Sequence, residues 1–290
     1  MRLVSFHDSK GARIGVMEGS GVLDLSAACP DLPRDMIGFL SAGKPAMDAA
    51  RTAVSATAER LDPGSVTLLS PVPHPPKILA VGLNYKDHIE ETGMKTPKVP
   101  IIFNKQSTAA NGPYAPIFLP PESEQLDYEG ELAVVIGTRC RRVPAGRASE
   151  VIAGYTIGND VSIRDWQLRS PTQMMGKSWD SHCPLGPALV TPDECDGTAE
   201  PLKTFVNGEE RQSSNTDQLV FTVPVLIEHL STAFTLEPGD VILTGTCGGV
   251  AIAREGQPWM KVGDTVRVEI GALGFIENEV VAEPGGPQIG

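Results

Sequence analysis

The 290-residue sequence has few cysteines and few aromatic residues. Its five cysteines are widely spaced and form no C-x-x-C pair, so neither a zinc site nor a redox motif is indicated, and reduced thiols are expected. Aromatic residues make up only 5 % of the chain, whereas glycine and proline are abundant, with 30 and 25 residues. This composition favours short strands joined by turns over a helical bundle, and predicts a β-rich α+β fold.

Basic residues and long apolar runs are also scarce. Lys and Arg total 24 against 36 Asp and Glu, a formal net charge of −12, and no basic stripe offers a surface for a phosphate backbone. No segment approaches the roughly 20 apolar residues that span a bilayer, and the chain does not begin with an apolar stretch after a basic end. We therefore expect neither a nucleic-acid nor a membrane partner, and predict a cytoplasmic protein.

The signature motifs of several large enzyme classes are absent. The sequence contains no G-x-S-x-G, G-x-G-x-x-G, G-x-x-x-x-G-K-[ST] or H-E-x-x-H. Serine hydrolases, Rossmann dehydrogenases, P-loop enzymes and zinc proteases of the helical motif therefore lose their main support.

Residues 1–70 are predicted to form a small N-terminal α/β leader domain. Apolar runs separated by glycine turns predict strands at 3–6, 13–18 and 22–25, and an alanine-rich segment without Pro or Gly predicts a helix at 46–60. Prolines occupy four of the six positions in 71–76, which predicts an extended linker. The second domain is accordingly placed at 71–290.

In the second domain, β-branched runs bounded by glycine predict strands, and two segments have helical character. Strands are predicted at 77–82, 131–136, 151–157, 241–244 and 265–270, and helices at 84–92 and 223–234. Helices and strands do not alternate regularly enough for a doubly wound parallel sheet, so a mixed β-roll is favoured.

Three acidic residues stand near the ends of predicted strands. Glu129 and Glu131 are two positions apart where a strand opens, so both side chains are expected on one face. Taken alone, such a pair is typical of a solvated sheet edge. Asp160 follows a second apolar strand, and three oxygen ligands without His or Cys suit Mg²⁺, Mn²⁺ or Ca²⁺ rather than zinc.

Two further signals are weaker in isolation. His88 and Glu91 lie three residues apart on the predicted helix 84–92, so their side chains are neighbours, and a histidine oriented by a carboxylate is a common general base. A surface histidine in a charged helix is the alternative. Lys177 follows an apolar pair and a glycine and is a candidate to stabilise a developing oxyanion; an exposed lysine is the alternative.

These pieces occur in an order that resembles the fumarylacetoacetate hydrolase family over residues 72–283. Five stretches carry the resemblance: VGLNYKDH (81–88), DYEGEL (127–132), NDVSIRDWQ (159–167), GKSWD (176–180) and LEPGDVILTGT (236–246). The resemblance implies a mixed β-roll catalytic domain, a homodimer, and Mg²⁺ as the metal, with Mn²⁺ or Ca²⁺ as alternatives.

The resemblance also implies roles for individual residues. Glu129, Glu131 and Asp160 match the metal ligands, His88 and Glu91 the water-activating pair, and Lys177 the electrostatic stabiliser. The matching substrate-contacting positions are Tyr85, Arg164, Gln167, Gly245 and Thr246. The sequence departs from the family pattern at Cys247, where proline is usual, and near Lys105, where a Lys-Pro step is common. Cys247 and His182 each suit either a packing role or a place in the pocket wall.

The activity that the resemblance implies is metal-dependent hydrolysis of a carbon–carbon bond in an acylpyruvate or related 1,3-diketo acid, in a setting of aromatic catabolism. Pyruvate and a carboxylic acid would be the products. Oxaloacetate-type decarboxylation is the first alternative, because the same metal and enolate serve both reactions. Isomerisation or hydration of an unsaturated oxo-diacid is the next, and a silent protein that binds metal and small carboxylates is the last.

Overall fold

The computed structural model describes residues 1–19, 21–57 and 59–286. Its strands are β1 (Arg2–Asp8), β2 (Gly11–Glu18), β3 (Gly21–Asp24), β4 (Thr67–Leu68), β5 (Ile78–Gly82), β6 (Ile101–Lys105), β7 (Ala110–Asn111), β8 (Ile117–Leu119), β9 (Leu126–Asp127), β10 (Gly130–Ile136), β11 (Ile152–Asn159), β12 (Ser162–Ile163), β13 (Cys183–Val190), β14 (Pro201–Val206), β15 (Glu209–Asn215), β16 (Val241–Thr246), β17 (Thr265–Ile270) and β18 (Gly274–Ala282). Its α-helices are α1 (Leu25–Ala28), α2 (Met36–Ser41), α3 (Gly43–Ala56), α4 (Lys86–Thr92), α5 (Arg164–Gln167), α6 (Met174–Lys177) and α7 (Val223–Ala233).

The largest sheet runs through the middle of the molecule in the order β3-β2-β1-β13-β11-β10-β16-β5-β6, with β4 beside β1 and β7 beside β13. Most neighbouring strands are antiparallel, but β16 is parallel to β5 and β13 to β7. A second sheet has the order β15-β14-β17-β18-β8, and β9 and β12 form a small ribbon. This mixed, strand-rich architecture confirms the predicted β-rich α+β roll.

The central strand β10 is buried along its whole length, which accounts for its nearly continuous apolar sequence. Because side chains alternate across a strand, its residues enter two different cores. Leu132 and Val134 pack with residues of the second sheet and α7, whereas Ala133 and Val135 pack with the N-terminal helices. The sheet is therefore covered on both faces at the strand that will carry the acidic residues.

The N-terminal strands agree with their predictions, whereas helix α3 begins at Gly43, three residues before its predicted start, and the short helices α1 and α2 were not predicted. Strands β1, β2 and β3 confirm the three predicted strands. Helix α3 ends at Ala56 rather than at residue 60, because Thr57 is extended and the Arg60 guanidinium turns back to bond the Val54 and Thr57 carbonyls. Ala58, within that predicted helix, lies outside the described residues.

Strand β1 also pairs with β13, through Arg2 with Val190 and Leu3 with Leu189, so the N-terminal strands extend the large sheet. Residues 71–76 form neither helix nor strand. The division of the chain at 70/71 stays a prediction. In the part of the chain that the structure describes, no helix combines the length and apolar character needed to cross a membrane.

Candidate active site

Three acidic side chains converge where the neighbouring strands β10 and β11 come together. Gly130 pairs with Asn159 in this ladder, and the Asp160 N–H donates to the Glu129 carbonyl at 2.8 Å, so the residues just outside the pair face each other. Glu131 belongs to the same strand as Gly130. Carboxylate oxygens of Glu129, Glu131 and Asp160 all lie within 4.8 Å of one another, and all three residues are buried.

Two lysines and one arginine surround two of these acids. Lys177 Nζ donates to Glu129 Oε2 at 2.6 Å and to Asp160 Oδ2 at 2.9 Å. Lys105 Nζ donates to the other Asp160 oxygen at 2.5 Å, and Arg164 Nη2 lies 2.7 Å from Glu129 Oε1. Burial raises the pKa of Glu129, but Lys177 and Arg164 outweigh it and bring the pKa down to about 2. Glu129 is therefore held as a carboxylate.

Glu131 lacks such partners. It accepts a hydrogen bond from the Gly245 N–H at 2.7 Å, but it makes no ion pair with a described side chain. Burial, then the charges of Asp160 and Glu129, raise the pKa of Glu131 well above its usual range. A divalent cation among the three acids would supply the missing charge. Three buried carboxylates without His or Cys are the ligand type that Mg²⁺, Mn²⁺ and Ca²⁺ prefer, so the residues fit a divalent metal ion.

His88 and Glu91 lie on helix α4, which follows the buried strand β5 and ends at Gly93 in the left-handed conformation that favours glycine. Ile89 is buried, so its side of this short helix faces the protein interior. His88 Nδ1 and Glu91 Oε2 are 3.3 Å apart, and their side chains are 13 % and 28 % exposed. The structure thus brings the predicted pair together. Among the described residues, no hydrogen bond or ion pair joins this pair directly to the three acids.

The predicted substrate-contacting residues fall into two groups. Gly245 and Thr246 adjoin the acids: the Gly245 N–H binds Glu131, and Thr246 Oγ1 donates to the Gly130 carbonyl at 3.0 Å. Tyr85 is fully buried, and its hydroxyl has no hydrogen-bond partner among the described residues. The predicted contact of Tyr85 with substrate stays a prediction.

Arg164 and Gln167 are engaged with other protein groups. Arg164 contacts Asp127 through Nε at 2.8 Å, Glu129 through Nη2, and Gln167 through Nη1 at 2.8 Å. Gln167 in turn donates to Gln173 at 2.9 Å. The guanidinium therefore forms an ion pair with Glu129, and Gln167 is linked to the acids through its hydrogen bond with Arg164.

Three residues of this region received no role from the sequence. Lys105 binds Asp160; Asp127 accepts from Arg164 and from the Ala251 and Ile252 N–H groups; and Gln212 donates to Thr246 Oγ1 at 2.8 Å. None of the three had a local signal in the sequence: Lys105 is the one buried residue of the edge strand β6, and its partner Asp160 lies 55 residues further along the chain.

Cys247 and His182 are both completely buried. Burial raises the pKa of the Cys247 thiol, which leaves it a poor nucleophile. Burial also lowers the pKa of His182 to about 3, and its Nε2 lies 2.7 Å from the Phe118 carbonyl. Both observations favour packing roles over chemical ones.

Comparison with known proteins places this site in a familiar context. Residues 77–281 match the family model described as "Fumarylacetoacetate (FAA) hydrolase C-terminal". The chain is 45 % identical to a Rattus norvegicus protein named "Oxaloacetate tautomerase Fahd2a, mitochondrial", over 97 % of this chain and 92 % of the relative.

Two solved structures illustrate the range of activities named for similar folds. A 5-carboxymethyl-2-hydroxymuconate delta-isomerase from Mycobacterium smegmatis is 36 % identical with a TM-score of 0.79. A maleylpyruvate hydrolase from Sphingobium sp. SYK-6, in complex with manganese(II) and pyruvate, is 32 % identical with a TM-score of 0.80. Each match covers 98 % of this chain and 100 % of the other.

The predicted cytoplasmic location is contradicted by these relatives. The similar proteins from rat, cattle and human are all named as mitochondrial. The prediction rested on the scarcity of apolar stretches, and this argument was wrong because mitochondrial targeting segments are amphipathic and basic rather than long and apolar.

Proposed function

Because the chain belongs to the fumarylacetoacetate hydrolase family and is an enzyme of that family, we propose that it is a divalent-metal-dependent oxaloacetate tautomerase. The observation that carries the proposal is the similarity to a named oxaloacetate tautomerase across nearly the whole chain. This revises the order reached from the sequence, which placed carbon–carbon hydrolysis first and isomerisation of an oxo-diacid among the alternatives.

The charge of the site supports an anionic keto-acid substrate. Four buried carboxylates meet three buried cationic groups, namely Asp127, Glu129, Glu131 and Asp160 with Lys105, Lys177 and Arg164. With all four carboxylates ionised the cluster has one negative charge in excess, and a bound divalent ion would bring it to one positive charge. A metal held by Glu129, Glu131 and Asp160 would supply Lewis-acid stabilisation of negative charge at a 2-oxo acid.

Tautomerisation of the enol requires the loss of a proton from the oxygen on C2 and the addition of a proton to C3, the neighbouring carbon of the double bond. In the proposal, His88 carries this proton on Nε2, while Glu91 fixes the ring through Nδ1. Lys177, whose pKa is raised because Asp160 and Glu129 outweigh the effect of burial, stays protonated and stabilises negative charge on the substrate oxygen. Neither an attacking water nor a broken carbon–carbon bond is needed.

Acylpyruvate hydrolysis is the second candidate. The observation in its favour is the similarity to the maleylpyruvate hydrolase that was solved with manganese(II) and pyruvate. For this reaction His88 would deprotonate a water that attacks the distal carbonyl, and the products would be pyruvate and a carboxylic acid. Decarboxylation of oxaloacetate would use the same binding groups without the water. Mg²⁺ as the physiological metal and a homodimeric assembly stay predictions.

The test is the decay of the enol absorbance of freshly dissolved oxaloacetate, with Mg²⁺, with Mn²⁺ and with EDTA, after subtraction of the uncatalysed rate. Pyruvate release from oxaloacetate and loss of maleylpyruvate absorbance are followed in parallel. Metal-dependent enol decay without pyruvate release supports the tautomerase. Pyruvate from oxaloacetate, or faster turnover of maleylpyruvate, would replace it with the decarboxylase or the hydrolase. Silence in every assay would leave a binding protein.

A further inference from the structure

The first turn of helix α4 is tied to two other parts of the chain through the side chain of Asp87. Its Oδ1 accepts from the His88 N–H at 2.6 Å and from the Gly248 N–H at 3.3 Å. Its Oδ2 accepts from the hydroxyl of Ser214 on strand β15. Two of these three donors lie outside α4, more than 120 residues further along the chain. The carboxylate therefore does more than complete the helix N-terminus.

The other end of the helix is held by the same loop. Both oxygens of Glu91 accept from the Gly249 N–H, at 3.0 and 3.1 Å. Gly249 has φ +101°, and a Cβ there would lie 2.0 Å from the Arg211 carbonyl oxygen, so only glycine allows the loop to approach α4 in this way. Asp87 and Glu91, on either side of His88, are thus bound by consecutive amide groups.

This loop directly follows strand β16, whose last residue, Thr246, pairs with Glu131 of β10. The Gly245 N–H binds Glu131, and Gly249, four residues later, binds Glu91. Four residues span at most about 14 Å when fully extended. The segment 245–249 therefore limits how far the helix that carries His88 can lie from Glu131. By contrast, residues 93–99, beyond the helix, are largely exposed and form no regular structure.

We propose that Asp87 is a positioning residue, which holds His88 at a set distance from the metal-binding acids by anchoring the start of α4 to Gly248 and Ser214. The inference rests on the proposed function for the part played by His88, but the anchoring itself does not depend on the reaction. Asp87 contacts neither metal nor substrate in this scheme. It acts through the orientation of α4.

The experiment combines steady-state kinetics with hydrogen exchange of the substrate-free, Mg²⁺-loaded protein. Asp87→Ala should lower kcat by about 100-fold, the size of effect expected when a reacting group is displaced by about 1 Å, with little change in KM or Mn²⁺ affinity. The amides of residues 86–93 should exchange faster, and the rest of the chain should be unchanged. Ser214→Ala, which removes one anchor, should shift both readouts less.

Two further variants separate positioning from general damage. Asp87→Asn keeps an oxygen that can accept from both N–H groups, so it should recover part of kcat and part of the exchange protection. Glu90→Ala changes an exposed residue of the same helix and should leave both readouts as in the wild type.

Each outcome either supports or overturns the proposed role of Asp87. Faster exchange in α4 together with lower kcat supports the proposal. Lower kcat with wild-type exchange, faster exchange with wild-type kcat, or no change in either would overturn it. If Asp87→Ala does not fold, the comparison of Ser214→Ala with Glu90→Ala decides. Absence of turnover by the wild-type protein would count against the proposed function, whereas the exchange data would still show whether Asp87 anchors α4.

Discussion

The acids on the central strands and the histidine pair on α4 are built in different ways. Glu129, Glu131 and Asp160 are at most 7 % exposed and are held by a strand ladder with cores on both faces. His88 and Glu91 are partly exposed on a seven-residue helix that depends on a few side-chain and loop contacts. The acids proposed to bind the metal thus belong to the framework of the fold. The pair proposed to transfer the proton lies on a short helix attached to this framework. Similar structures are named as an isomerase and a hydrolase, so one fold supports different reactions.

The largest effect on turnover should come from a substitution among the three buried acids. Of the three acids, Glu131 is the one that pairs with no described cationic side chain. Glu131→Gln removes its negative charge and replaces a proposed metal ligand, so turnover at a fixed Mg²⁺ concentration should disappear. Mn²⁺ binding, measured by electron paramagnetic resonance, should weaken in parallel. Glu279→Gln, an exposed change on β18, is the matched control. Full activity with Glu131→Gln would remove this residue from the metal site and break the comparison.

A smaller loss of turnover is expected from a substitution in the partly exposed pair on α4. His88→Ala should lower kcat by about 10²- to 10⁴-fold, the usual contribution of a general acid or base, while Mn²⁺ affinity stays as in the wild type. His229→Ala, at an exposed position on α7, should change neither quantity. If His88→Ala also abolished metal binding, the three acids and the pair on α4 would not act independently, contrary to the difference in their surroundings.

Added metal should stabilise the folded protein through the three acids and not through the pair on α4. An ion bound only by the folded protein stabilises it by about 2.7 kcal/mol at a concentration 100 times its Kd, because binding draws the unfolding equilibrium towards the folded state. Thermal unfolding with Mg²⁺ and with EDTA measures this difference. Removing the charge of Glu131 should abolish the response, whereas His88→Ala should keep it. An equal response in both variants would contradict the assignment of the acids.

The smallest effect concerns the buried histidine near the acids. Folding lowers the pKa of His182 from 6.5 to about 3, so between these values the unfolded chain binds a proton that the folded chain does not. Folding therefore carries almost no deprotonation cost for His182 above about pH 6.5, and this cost lowers the unfolding free energy as the pH falls towards 3, by about 2 kcal/mol between pH 7 and 5.

Chemical denaturation at these two pH values tests this prediction. His182→Gln cannot titrate, so its unfolding free energy should decline less between pH 7 and 5 than that of the wild type. His229→Gln, an exposed substitution, should leave the pH dependence unchanged. An identical decline with His182→Gln would show that other groups cause it.

Much of the fold could be predicted from local sequence. The runs at 131–136 and 265–270 are apolar or alternate with period two, and both are strands with these bounds within one residue. Pro224 correctly marked the start of α7. The hairpin of β14 and β15 was missed because β15 is polar throughout, although the Asn207-Gly208 step between them, both with positive φ, is a typical hairpin turn.

The site could be predicted only in part. Residues that are near in sequence, such as His88 with Glu91 or Glu129 with Glu131, can be paired from helix and strand geometry alone. Pairs such as Lys105 with Asp160, or Glu91 with Gly249, are 55 and 158 residues apart, and no periodicity relates them. The same holds for Arg164, expected at the substrate but engaged with Asp127 and Glu129.

The sequence by itself determined the residue types available for chemistry, the strands that carry the acids, and the family resemblance, because each of these depends on short stretches of chain. Only the tertiary structure decided which charges meet. The long-range pairing of β10 with β11 and β16 brings three carboxylates together, and the burial of that junction raises the energy of an ionised carboxylate that has no cationic partner among the described residues. Glu131 is that carboxylate, and its isolation is a property of the folded chain rather than of its local sequence.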